Sequence, residues 1–119
     1  MEVLEVAQMI NKKISLLEKM RVEIRHRAVN KAEASANYDK VIALTILKLK
    51  NGAIEEFGGE PGKGLPATVL EKIARGICWA EKLKADEAEA LYKSLISNID
   101  SVMAELCGLQ SLNRYLDKV

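Results

Sequence analysis

From Glu2 to Asn51 the chain contains neither proline nor glycine. A run of that length has one regular structure open to it. Strands rarely exceed about 10 residues, and turns draw on the residue types that are missing here. The apolar residues agree with a helix. Val3, Ile10, Leu17 and Ile24 recur at every seventh position, with Val6, Ala7, Ile14, Met20 and Ala28 between them, which is the period of a coiled-coil stripe. Lys, Arg and Glu take the opposite face. Beyond Ala28 the stripe thins to Ala32, Ala34 and Ala36, and large apolar residues resume at Tyr38, Val41, Ile42, Ile46, Leu47 and Leu49. Alanine keeps helix propensity high, while Asn30, Ser35 and Asn37 allow a break near residues 30–37.

Five glycines, one proline and three acidic residues fall between Asn51 and Pro66, and this reads as a loop over residues 52–65. Pro66 suits the opening of a short helix over 66–75, and Gly76 suits its end. Residues 79–118 again lack proline, and Gly108 is their one glycine. Ala88, Leu95, Val102, Leu109 and Leu116 repeat at seven, with Leu91, Ile99, Leu106 and Leu112 between and Tyr92, Ile96 and Met103 widening the stripe. The pattern predicts one all-α domain over residues 1–119. It is a long antiparallel helical hairpin, with helices 2–51 and 79–118 and a short third helix between them. A stripe that broad touches more than one neighbour. The hairpin is therefore expected to assemble into a helical-bundle homo-oligomer, with Leu91, Leu95, Ile99, Val102, Leu106 and Leu109 as the interface.

One Phe, three Tyr and one Trp leave the core to aliphatic residues, the usual filling of a helical bundle. Net charge is +1, from 18 basic and 17 acidic residues, so global charge argues for neither a nucleic acid nor a membrane partner. Charge interrupts every apolar stretch before the roughly 20 residues of a membrane span. Cys78 and Cys107 lie far apart without CxxC spacing, and no signal-like segment opens the chain. This reads as a pair of reduced thiols in a cytoplasmic protein.

The candidate chemistries are thin. Gly58-Gly59-Glu60-Pro61-Gly62-Lys63-Gly64 resembles a phosphate loop in its glycines, yet Gly64 stands where Ser or Thr should ligate Mg²⁺, and a helix precedes it in place of a strand. Glu23 and His26 have the Glu-x-x-His spacing of dimetal bundles, but they flank the core-facing Ile24. No catalytic, cofactor-binding or metal-binding residue emerges, and no small-molecule ligand is expected. A non-enzymatic protein working through protein partners is the reading. The alternative is direct nucleic-acid binding through the basic run Lys19, Arg21, Arg25, Arg27 and Lys31. Rows of charge at i,i+4 can follow phosphates, although Glu18, Glu23 and Glu33 dilute them and no aromatic residue interleaves to stack bases.

Several stretches, between about residues 30 and 116, resemble small helical proteins from the early regions of tailed phages and prophages. They are Tyr38-Asp39-Lys40, Leu65-Pro66-Ala67-Thr68, Ile73-Ala74-Arg75-Gly76, Ala90-Leu91-Tyr92-Lys93-Ser94 and Leu109-Gln110-Ser111. The resemblance implies a host-cytoplasmic setting and an accessory role in phage DNA replication or recombination. It brings no catalytic residue with it.

Overall fold

The computed structural model describes residues 2–52 and 65–118. Three helices make up the described chain: α1 (Val3–Lys50), α2 (Ala67–Ile77) and α3 (Trp79–Lys118). There is no strand among the described residues. The sequence loop, including the Gly58–Gly64 phrase, lies almost wholly outside them.

Local chemistry explains the helix ends. α1 passes through Asn30, Ser35 and Asn37 without interruption. It stops at Gly52, whose φ of 69° is a left-handed conformation that only glycine adopts without strain. There the amides of Asn51 and Gly52 donate to the carbonyls of Leu47 and Leu49, satisfying groups the helix end would leave open. Lys48 and Lys50 sit in the same final turn, where positive charge suits the helix dipole. α2 follows Pro66 and runs through Gly76, so that glycine does not end it. The one non-helical residue before α3 is Cys78. Its amide still donates to the Ala74 carbonyl at 2.9 Å, and its own carbonyl accepts from the Lys82 amide at 3.0 Å.

The chain forms two packing units, one joining the stretch up to Val29 with the stretch from Ala90 onward, the other covering Asn30–Glu89. In the first unit α1 and α3 run antiparallel. Lys13 pairs with Glu105, and fourteen residues further along α1 the Arg27 guanidinium donates to the Leu91 carbonyl at 2.8 Å. The partner positions on α3 retreat by the same fourteen residues, so the register is that of a regular coil. Buried or half-buried positions on α1 follow the alternating four–three spacing of a coiled-coil seam: Val6, Ile10, Lys13, Leu17, Met20, Ile24 and Arg27,. On α3 the seam is Leu95, Ile99, Val102, Leu106, Leu109, Asn113 and Leu116.

This seam corrects the expected stripe. Val3, Ile14 and Ala28 are exposed, and Lys13 and Arg27 hold core-facing places instead. Strict spacing puts them there, and length makes it tolerable. Each lays its aliphatic stem along the seam and carries its charge out to a partner.

In the second unit α2 packs on the end of α1. Leu49, Leu70 and Ala74 form a buried cluster, with Ile42, Ile46 and Ile73 against it. Thr45 is buried beside it. The Thr45 hydroxyl donates to the Val41 carbonyl at 2.7 Å, which commits its one hydrogen. The buried Cys78 thiol, 3.3 Å away, is therefore the donor to Thr45 Oγ1. That contact anchors the α2–α3 turn on α1.

Candidate interaction surfaces

A two-stranded seam covers only the residues that point into it. Large apolar side chains beside it stay in water, and both units have them. In the first unit Ile14 on α1 is 42% exposed, and Ile96 and Met103 on α3 are 37% and 51% exposed. These occupy the seam-adjoining positions of one flank, since antiparallel pairing brings like heptad positions to the same side. A shallow groove of about 200 Å³ lies there, lined by Ile14, Leu17, Glu18 and Arg21. The opposite flank exposes Met9, Leu16 and Leu91. In the second unit Leu44, Leu47, Ile77, Trp79 and Leu83 are exposed. An indole in water is the most conspicuous of these, because Trp is enriched among residues that dominate interfaces.

The row expected as an oligomer interface divides along the same line. Leu95 and Val102 are only 4% and 8% exposed within the single chain, and Ile99, Leu106 and Leu109 are half-buried. The hairpin's own seam uses all five. Leu91, by contrast, is 56% exposed. Sequence periodicity alone could not separate seam from flank, because both carry aliphatic residues.

The basic row divides too. Lys19, Arg21 and Arg25 are exposed in the first unit, whereas Arg27 is half-buried, held by Leu91 and by Glu23 at 3.2 Å. Lys31 belongs to the second unit, is half-buried and has an interaction of its own. His26 is exposed, and Glu23 is committed to Arg27. Among the described residues, no group of three or more His, Cys, Asp or Glu could hold a metal ion.

A polar recess of about 270 Å³ opens in the second unit between Lys31, Ser35, Tyr38 and Asp39 on α1 and Lys82, Ala85, Asp86 and Glu89 on α3. The small side chain of Ala85 leaves space there. Charged side chains line it and pair within it. Lys82 Nζ lies 3.2 Å from Asp86 and 5.4 Å from the centre of the Tyr38 ring, a cation–π distance. Cys107 is exposed on α3, with its neighbour Gly108 open to space.

No described helix is long and apolar enough to cross a membrane. Set beside protein-family models, curated proteins and solved structures, the chain finds no match.

Proposed function

We propose that this protein is a non-enzymatic assembly or adaptor factor that works through helix-to-helix contact. The setting implied by its phage-like stretches is the host cytoplasm, beside the proteins of DNA replication and recombination. One observation carries the reading. The seam leaves large apolar side chains exposed on flanking positions of both paired helices, as at Ile14, Ile96 and Met103. Aliphatic residues in those positions are how a two-stranded coil recruits further helices. Light scattering across micromolar concentrations tests it. The expected mass is a multiple of the 13.2 kDa chain. A folded monomer throughout that range would remove the basis for the proposal.

The exposed Lys19, Arg21 and Arg25 support a second reading, in which this face follows a phosphate backbone. Such binding would weaken steeply with salt, and replacing all three with Gln would lower the salt slope by about one for each phosphate no longer neutralised. The expected result is no binding at physiological salt, because Glu18 and Glu23 share the same turns and reduce the local field. Submicromolar, salt-sensitive binding abolished by the triple substitution would reverse the order of the two readings.

A further inference from the structure

We infer that the first unit pairs face to face with the same face of a second copy, in a two-fold arrangement that runs the two hairpins in opposite directions. This rests on the assembly reading and specifies its surface. The face is the flank bearing Ile14 and Leu17 on α1 and Ile96 and Met103 on α3. Charges along its border select the occupant and its direction.

Lys13 with Glu105 and Arg27 with Leu91 fix the register of the unit. On that register Glu18 stands level with Asp100, and Arg25 stands level with Lys93. All four are exposed, and Lys93 also has an interaction within its own chain. The face thus has an acidic level and, one heptad or about 10 Å further, a basic level. Two copies can meet through it about a two-fold axis in two ways. An axis along the helices lays each level on itself, acid on acid and base on base. An axis across the helices reverses one copy, so that Glu18 meets Arg25 and Asp100 meets Lys93, each twice. Like charges placed opposite are penalised strongly enough to choose between orientations. The reversed arrangement is therefore the one selected.

Ile14 and Ile96 fit the same axis. It passes at the level of Arg21 and Ile96, bringing Ile96 toward its own copy. It also sets the large Ile14 opposite the small, exposed Ala28 of the other chain. Complementarity of this kind is between the face and itself, which is why the occupant is a second copy. Arg21 near Arg21 of the other chain opposes it. Arg21→Leu is accordingly expected to tighten the dimer.

The test uses the full chain and sedimentation, with helicity measured in parallel. E18K/D100K makes both charged levels basic, and R25E/K93E makes both acidic. Both change exposed side chains and should keep wild-type helicity. Each variant alone is expected to dimerise at least about tenfold more weakly than wild type, while an equimolar mixture recovers the dimer as a heterodimer. Wild-type oligomers that ignore both reversals would exclude this face and leave the assembly reading intact. A folded wild-type monomer would overturn both. Loss of helicity in either variant alone would show that these charges act within the chain, which also overturns the proposal.

Discussion

Replacing Leu95 and Val102 together with Asp is expected to unfold the first unit. Both side chains are buried in the seam, and the ion pairs that α3 forms through Glu105 and through Lys82 with Asp86 involve neither position. Each substitution removes apolar burial and places a carboxylate where it has no partner, at about 4 kcal/mol or more per site. Two such costs approach the whole stability of an ordinary domain, about 5–15 kcal/mol. Helicity and the urea midpoint report the outcome. Leu91→Asp is the control, because its side chain already lies in water and its removal should move the midpoint little. A double variant that melts like wild type would show that the seam of α3 is not the core of this unit.

The second large effect runs the other way. Asn113 occupies a seam position on α3, and its side-chain oxygen Oδ1 is buried without a hydrogen-bond partner. Rotating the amide does not solve the problem, since it exchanges an unmet acceptor for an unmet donor. Asn113→Leu should therefore stabilise the protein by about 1–3 kcal/mol, read as a higher denaturant midpoint at unchanged slope. A polar residue in a coil seam also disfavours alternative registers. The stabilised variant is accordingly expected to show broader sedimentation than wild type. A lower midpoint would mean that Asn113 has a partner in solution, and the stability argument would fall.

The all-α hairpin was legible because proline and glycine are confined to so few places and the apolar residues keep a seven-residue period. Face assignment was harder, for a physical reason. A hydrophobic pattern treats Lys13 and Arg27 as outward by their charge and Ile14 as inward by its apolarity. Strict four–three spacing does the reverse, and the long stems of Lys and Arg let it. The signal lay in the spacing, once charged residues are allowed seam positions. Gly76 misled for a related reason. Glycine permits a helix to end but does not require it, and the turn falls where Cys78 can reach Thr45. The basic row looked continuous because i,i+4 spacing reflects neighbours along one helix and is blind to α3.

The order of the chain has a kinetic consequence. The second unit is assembled from one continuous stretch, Asn30–Glu89, whereas the first joins the two extremes of the sequence. Contacts between distant residues are slow to form, since closing the intervening chain costs entropy before any contact repays it. Once α1 and α2 are docked around Leu49, Leu70 and Ala74 and Cys78 is held against Thr45, the remaining closure is short. Folding should therefore nucleate in the second unit and zip outward. On the ribosome the zipping must wait, because the half of the seam that holds Leu95, Val102 and Asn113 is made after the whole of the second unit.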